Sequence, residues 1–429
     1  MVLIVLVGWS LFAFAGAYTW TAIPLLAGAL WLTGIVRPAI GRDDMRLIDA
    51  ALCLCLAWAA VQLVPVPQSI RLALSPGSAR IDRALYFQPQ TDPTPLSVDT
   101  AATIESLAIA VACTLTFWSA LRMFESGSLR RAVRTVAMCG LAVSAIAIVQ
   151  HATAPRMMYW IWTPLSPGAS PYGPFVNKND LAAWLVMAIP LTVGYLIARN
   201  TRTARYAFEL DSTTVWLGGA ICAMAICLLA SLSRSGLIAG IAATAALLLS
   251  SRARTTSRSR VAMGLGVALV AAIALASVNT GAIMIRLNDA ATKGIAGRSE
   301  IWTLTRSMIR DFWVTGVGVG AYPRAMSVYQ PPHQFAFNHA HNEYLQVLTE
   351  GGVVLGVAAA IVIVAGARVA ARRLAVDRTP VFWMRTGAVS AVVAIGVQSI
   401  WETGLRMPAN GILFAVCAAV ALHSPAKSA

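Results

Sequence analysis

Long apolar segments recur along almost the entire chain and limit it to one kind of fold. Hydrophobic residues make up 58% of the 429 residues and charged residues only 12%, so the apolar surface is larger than a soluble core can bury. Several windows reach the roughly 18 to 20 apolar residues that cross the hydrocarbon of a bilayer. Because no water satisfies backbone groups there, these windows have to be helical. We therefore predict an all-α, polytopic membrane protein.

The apolar windows predict about twelve transmembrane helices. No internal repeat divides the chain, so residues 1–429 are predicted to form a single integral membrane domain. A partly helical loop, residues 279–349, separates the ninth and tenth spans. The predicted spans are 2–15, 19–36, 47–64, 101–121, 133–150, 180–198, 213–230, 236–250, 261–278, 350–367, 386–401 and 408–423.

Arginine residues are concentrated in alternate segments between the predicted spans. These segments are 37–46, 122–134, 199–205, 252–260 and 368–385. Cytoplasmic loops of membrane proteins carry such an excess of basic residues. The pattern therefore predicts that residues 65–100, 151–179 and 279–349 face outward. The net charge of +15 then reflects orientation in the membrane, and nucleic acid is not expected as a partner.

The long loop contains a helical pattern followed by a glycine-rich turn. Ile301, Leu304, Met308 and Phe312 recur at helical spacing, which predicts an amphipathic helix lying on the membrane or over a cavity. The run Gly-Val-Gly-Val-Gly at 316–320 ends it. No predicted strand precedes this run, so we interpret it as a sharp, closely packed turn and not as a nucleotide site.

His339 and His341 lie in the same loop, in the sequence His-Ala-His-Asn-Glu. A histidine can take a proton from a hydroxyl group near neutral pH, so either could act as a general base. A neighbouring carboxylate, Glu343 or Glu350, could orient the imidazole. In the alternative interpretation, the histidines and Asn342 only satisfy each other's hydrogen bonds.

Arg298 and Arg234 are candidate ligands for phosphate groups. Arginine presents a planar fork that matches phosphate oxygens and keeps its charge. Arg234 lies in a tight turn between two predicted spans, and no acidic residue is near it in the sequence. The alternatives are an ion pair of Arg298 with Glu300 or lipid head groups, and an Arg234 side chain that reaches the bilayer surface.

The segment Asn177-Lys178-Asn179-Asp180 leads from an outer loop into a span. Asp180 is predicted to cap that helix, and Lys178 with the free backbone amides would favour an anion. The outer segments carry no closely paired Asp and Glu residues that would hold a divalent cation. The seven cysteines all lie in apolar windows, which is typical of packing residues. We expect no metal and no cofactor, so a bound pyrophosphate would be balanced by arginine.

Several of these segments resemble the signature of the O-antigen ligase superfamily. This superfamily includes lipopolysaccharide O-antigen ligases and the related O-antigen and exopolysaccharide polymerases. The segments that carry the resemblance are 173–179, 233–234, 297–302, 316–318, 341–345 and 350–352. Where members often have a further glycine three residues after the one matching Gly352, this chain has Leu355.

The resemblance implies a metal-independent, inverting glycosyltransferase of the membrane-embedded GT-C type in the bacterial inner membrane. Its donor would be a glycan on undecaprenyl pyrophosphate, and its active site would face the periplasm. By position, His341 would be the base that activates the acceptor hydroxyl, while Arg234 and Arg298 would hold the pyrophosphate. Supporting roles would fall to His339, Asn342, Glu343, Asn177, Lys178 and Asn179.

Two other functions remain open from the sequence. A ligase passes the glycan to the lipid A core, whereas a polymerase extends another saccharide with the same chemistry. We favour the ligase. A transporter of lipid-linked glycans would need charged or broken helices near the middle of the bilayer, and the predicted spans contain few charges.

Overall fold

The computed structural model describes residues 1–42, 44–85, 92–165, 168–203, 211–252, 254–255, 264, 266, 298–332 and 336–424. These residues fold mainly into α-helices. The helices are, in chain order, α1 (Val2–Phe12), α2 (Ala22–Val36), α3 (Arg46–Val61), α4 (Gln68–Leu74), α5 (Ser78–Leu85), α6 (Thr100–Glu125), α7 (Leu129–Thr153), α8 (Lys178–Thr203), α9 (Ser212–Ala230), α10 (Arg234–Ser251), α11 (298–311), α12 (Tyr322–Tyr329), α13 (Glu343–Val376), α14 (Val381–Gln398) and α15 (Pro408–Leu422). Two short strands, β1 (Pro65–Val66) and β2 (Thr94–Pro95), pair in antiparallel fashion.

The predicted spans that fall on described residues coincide with helices. Apart from Gly264 and Gly266, the ninth predicted span, 261–278, lies outside the described residues. Within the described chain, eight helices are long and apolar enough to cross a membrane, and α1 and α15 are apolar but shorter. These helices are those of a multi-pass membrane protein, while the number twelve stays a prediction.

Helix α13 begins at Glu343, seven residues before the predicted start of the tenth span at 350. Asn342 caps the helix: its side-chain oxygen accepts a hydrogen bond from the Leu345 amide at 2.9 Å. The first turns of α13 carry the buried polar residues Gln346 and Glu350. Their side chains face other polar groups of the protein and are therefore buried although they are polar. Because a hydropathy scale scores only the residue type, this part of the helix has the low hydropathy of a loop.

A break at Gly352 separates these polar turns of α13 from its apolar part. Gly352 has φ +61°, which L-residues rarely adopt. A Cβ at this position would overlap the carbonyl oxygen of Val314. The break lets the chain of Val314 approach α13, where the Val353 amide donates to the Trp313 carbonyl at 2.8 Å.

Replacing Gly352 with alanine is expected to destabilise the protein by about 2–5 kcal/mol, from the left-handed backbone and the steric overlap. Gly366→Ala on the same helix is the matched control, since a Cβ there would have no neighbour within 4 Å. Unfolding by denaturant in detergent micelles measures both variants. Equal stability of the two would show that the break is not needed.

Helix α8 lies at the centre of the helical bundle, in contact with α7, α9, α10 and α14. Its residues 181–188 are almost completely buried. The backbones of α8 and α14 approach closely, because the Cα atoms of Gly194 and Gly387 face each other without side chains. At one end, the Gln398 side chain donates to the Asn179 carbonyl at 3.2 Å. The beginning of α8 and the end of α14 therefore meet at the same end of the bundle.

Two segments predicted to face outward form a separate apolar core, which we call the cap (residues 65–85, 92–99 and 298–340 where described). Ile81 and Val98 of the first segment pack with Met308, Phe312 and Tyr322 of the second. The Val98 amide donates to the Val317 carbonyl at 2.9 Å. The apolar face of α11 is thus buried in the cap, in agreement with its helical spacing; Leu304 is partly buried there.

The glycine run at 316–320 forms the tight turn that its composition predicts. Gln62, which is fully buried, donates from its side chain to the carbonyls of Thr315 and Glu350 at 2.7 and 2.8 Å. Its side-chain oxygen accepts from the Val319 amide at 3.0 Å. A Cβ on Gly316 would overlap the Glu350 carbonyl. The turn fixes the cap against α3 and α13.

Candidate active site

Glu402 is the centre of a polar cluster at this end of the bundle. It lies in the connection between α14 and α15 and is 5% exposed. One carboxylate oxygen accepts hydrogen bonds from Arg298 Nη2 at 2.8 Å and from Asn179 Nδ2 at 3.1 Å. The other lies 3.3 Å from His341 Nδ1. Residues from four separate parts of the chain therefore meet at one carboxylate.

The backbone holds His341 in position against Glu402. His341 has φ +48°, a left-handed conformation that is uncommon for a residue with a side chain. It directly precedes the capping residue Asn342. Trp302 of α11 donates to the Ala340 carbonyl at 3.0 Å, and Gln346 accepts from the Ala340 amide at 2.7 Å. These contacts on both sides keep the backbone in a strained but defined shape.

The geometry selects one tautomer of His341. A carboxylate only accepts hydrogen bonds, so the Nδ1 atom that faces Glu402 carries the proton. The Nε2 atom of a neutral ring then has a free lone pair. The His341 side chain is 38% exposed, whereas the Glu402 side chain is 7% exposed. The imidazole is thus anchored through Nδ1 and partly exposed, an arrangement that suits a general base.

His339 differs from His341 in its electrostatic surroundings. Part of the His339 side chain is exposed, while protein atoms surround the rest of it. Arg406 and His341 lie near it. Desolvation and then these cationic neighbours lower the pKa of His339. Among the described residues, no carboxylate pairs with His339, so this histidine lacks the orienting partner that His341 has.

Glu343 and Glu350 do not orient His341, contrary to the prediction from sequence. Both pair with Arg406, Glu350 at 2.7 Å and Glu343 at 3.4 Å. Glu350 also accepts from Gln346 at 3.0 Å and from the Gly320 amide at 2.9 Å. Burial alone would lower the pKa of Arg406, but the two carboxylates outweigh it and raise that pKa. Glu402, and not Glu343 or Glu350, is therefore the carboxylate that pairs with His341.

The beginning of α8 contributes Asn179 to the cluster. The Asn177 side chain accepts from the Asn179 amide at 2.9 Å, an arrangement typical of a helix start. The predicted cap Asp180 is wrong, because α8 already begins at Lys178 and Asp180 lies in its first turn. The Asp180 carbonyl accepts from Asn410 Nδ2 at 3.0 Å, which ties this turn to α15.

Arg234 lies at the same end of the bundle, at the first position of α10. The Ser233 side chain caps this helix by accepting from the Gly236 amide at 3.3 Å. A Cβ on Gly236 would lie 2.8 Å from Ala182 Cβ, and one on Gly404 would lie 2.8 Å from Ala183 Cβ. The Arg234 turn and the Glu402 segment therefore flank the first turns of α8. The Arg234 side chain is exposed.

Glu402 is the residue that the sequence interpretation missed. It is a single acidic residue in a short connection between two apolar helices. A carboxylate placed there is costly unless a partner compensates it, and this cost is the signal that could have identified it. Its partners His341 and Arg298 are 61 and 104 residues away in the chain, so no local motif reveals the pairing.

The described residues contain no group of three or more His, Cys, Asp or Glu side chains that could hold a metal ion. The positive groups of the cluster are guanidinium and imidazole side chains. Such donors suit anionic oxygen atoms, which arginine binds with two parallel hydrogen bonds.

Comparison with known proteins agrees with the resemblance found in the sequence. Residues 219–361 match the family model described as O-antigen ligase. This segment contains Arg234, Arg298 and His341, whereas Glu402 and Asn179 lie outside it. No curated protein matches the chain. The family match confirms the resemblance to the O-antigen ligase superfamily.

Proposed function

We propose that this chain, whose residues 219–361 belong to the O-antigen ligase superfamily, is a membrane glycosyltransferase of the GT-C type. It transfers a glycan from undecaprenyl pyrophosphate to a sugar acceptor at the periplasmic face of the bacterial inner membrane. The favoured acceptor is the lipid A core. One observation carries the proposal: His341 and Arg298, from distant parts of the chain, converge on the buried carboxylate of Glu402.

His341 is the proposed general base. The acceptor hydroxyl oxygen attacks the anomeric carbon of the donor sugar, opposite the pyrophosphate, and the bond from that carbon to the phosphate oxygen breaks. The hydroxyl proton passes to His341 Nε2, and the lipid pyrophosphate leaves with the bonding electrons. Glu402 stabilises the resulting imidazolium through Nδ1, in the way a carboxylate supports histidine in catalytic triads. Inversion at the anomeric carbon follows from this single displacement.

Arg298 and Arg234 are the proposed pyrophosphate ligands. The Arg298 side chain is 34% exposed, and its guanidinium has five N–H donors. One of these holds Glu402, which leaves others for a phosphate oxygen. Negative charge develops on the leaving pyrophosphate, and fixed positive groups in a partly dry site stabilise it. The salt bridge with Glu402 keeps the guanidinium in position before the donor binds.

Replacing Arg298 with lysine is expected to weaken donor binding about tenfold or more, since a point charge does not replace a bidentate fork. Arg234→Lys is expected to act in the same direction. Arg306→Gln on the same helix is the control, because Arg306 is exposed and its Nε donates to the Trp302 carbonyl within α11. Titration of purified protein with lipid pyrophosphate measures the Kd. Unchanged affinity in both lysine variants would refute the pyrophosphate site.

A polymerase would use the same residues and differ only in its acceptor. Purified protein in proteoliposomes, supplied with the lipid-linked donor and with each acceptor separately, distinguishes the two. Product on the lipid A core supports the ligase. Elongation of a second lipid-linked chain, without transfer to the core, would show that the protein is a polymerase and not a ligase.

A further inference from the structure

A cleft on the cap is lined by three arginines and, among the described residues, by one acidic residue. It lies between α5 and the end of α11 and encloses about 340 Å³. Arg80, Arg83 and Arg310 line it together with Asp311 and Trp313. Within the described residues, none of the three arginines forms a salt bridge. Like charges that cluster at this density repel each other unless an anion binds between them.

The single carboxylate of the cleft is already engaged. Asp311 accepts a hydrogen bond from the Tyr329 hydroxyl. Arg80 stacks on the Tyr329 ring, with 4.2 Å between the guanidinium carbon and the ring centre, so its position is fixed. Arg83 and Arg310 remain exposed. The cleft therefore offers guanidinium groups to an anion, and phosphate oxygens match their geometry.

Trp313 is the large apolar side chain among the described residues that line the cleft, and it lies close to α13. Trp313 is 60% exposed and its carbonyl is bonded to the Val353 amide, where the apolar part of α13 begins. Tryptophan and arginine at the end of an apolar helix are typical of the interface between lipid and water. This combination fits an amphiphile whose anionic head group lies beside its acyl chains.

Helix α11 connects this cleft to the candidate active site. Arg298 is at its first described position and Arg310 is twelve residues later, a separation of about 18 Å at the rise of an α-helix. If a head group binds at Arg310, its saccharide has to span this distance before one of its hydroxyl groups reaches His341. The spacing suits an oligosaccharide attached to a lipid.

We propose that the cleft binds the phosphorylated head group of the lipid that carries the acceptor saccharide. This inference rests on the proposed function, because it assigns the acceptor to a lipid held at a defined distance from His341. The arginines anchor the phosphate groups, Trp313 contacts the adjoining sugar or acyl region, and α11 sets the length of acceptor that reaches the base.

The direct test is lipid binding by the double variant Arg83→Gln/Arg310→Gln, with the full chain in phosphatidylcholine nanodiscs. The probes are a phosphorylated glycolipid and the same glycolipid without its phosphates, with bound lipid counted by native mass spectrometry. The wild type is expected to bind the phosphorylated form about tenfold more tightly, and the double variant to lose this preference. Arg324→Gln, an exposed arginine of α12 that does not line the cleft, is expected to keep it.

A kinetic measurement separates this inference from the proposed function. The double variant is expected to raise the KM for the phosphorylated acceptor about tenfold, with kcat and donor affinity unchanged. If the wild type catalyses no transfer, the proposed function fails, and the nanodisc result still decides whether the cleft binds phosphorylated lipid. If transfer occurs but the variant keeps both its lipid preference and its KM, the inference about the cleft is overturned alone. Binding of inorganic phosphate as tightly as of the phosphorylated glycolipid would also overturn it, since Trp313 and the lipid would then contribute nothing.

Discussion

His341→Ala is expected to lower the rate of glycan transfer by about 10²–10⁴-fold, the usual contribution of a positioned general base. The imidazole is bonded through Nδ1 to Glu402 and is partly exposed, so its removal takes away the proposed proton acceptor. Donor binding is expected to stay nearly unchanged, because the proposed pyrophosphate ligands are arginines. Single-turnover transfer from a lipid-linked donor measures the rate, and a direct titration measures the donor Kd.

His339→Ala is the matched comparison, since it removes an imidazole only two residues away. His339 has no carboxylate partner among the described residues, and its pKa is lowered by desolvation and by the positive charges of Arg406 and His341. A much smaller loss than in His341→Ala is therefore expected. The reverse order of the two losses would assign the proton to His339 and contradict the proposed role of His341.

Glu402→Gln is expected to reduce transfer by about 10²–10⁴-fold, by analogy with the loss seen when an amide replaces the carboxylate behind a catalytic histidine. The amide has the same shape but cannot stabilise an imidazolium, and its NH₂ group can present a donor where His341 needs an acceptor. Arg298 loses its charged partner at the same time. The loss is expected in kcat, with a smaller effect on donor binding.

Two further variants distinguish this chemical effect from a loss of structure. Asp92→Asn changes an exposed carboxylate of the segments that are predicted to face outward and is expected to be neutral. Glu402→Asp keeps the charge and is expected to recover part of the rate. If Glu402→Gln transfers glycan at the wild-type rate while its unfolding transition is unchanged, Glu402 does not act through His341.

The bundle could be predicted from the sequence more completely than the site. Spans such as those of α6, α7 and α8 are continuous apolar runs, and the solvent of the membrane leaves helix as their only structure. The first turns of α13 escaped this rule because Gln346 and Glu350 form hydrogen bonds with partners inside the protein. A hydropathy scale scores each residue by its type and takes no account of its hydrogen-bond partners. Helical turns with buried polar side chains are therefore wrongly predicted to be loops.

The candidate site combines residues that local motifs identify with one that they do not. Arg298 and His341 stand out by residue type in an apolar protein, and the structure brings both to Glu402. The pairing itself depends on how α8, α11 and α14 pack, which no spacing along the chain encodes. For the same reason the sequence assigned the orienting role to Glu343 and Glu350, which are close to His341 in the chain but pair with Arg406 in space.

The proposed transfer reaction is tested by reconstitution of the purified chain in proteoliposomes, with a glycan on undecaprenyl pyrophosphate as donor and a lipid A core acceptor. Wild-type protein is predicted to form a new glycosidic bond with inverted configuration and to release the lipid pyrophosphate, whereas His341→Ala protein forms the bond about 10²–10⁴-fold more slowly. Movement of the intact donor across the bilayer without any glycan product, in wild type and variant alike, would show that the chain transports the donor and does not transfer its glycan.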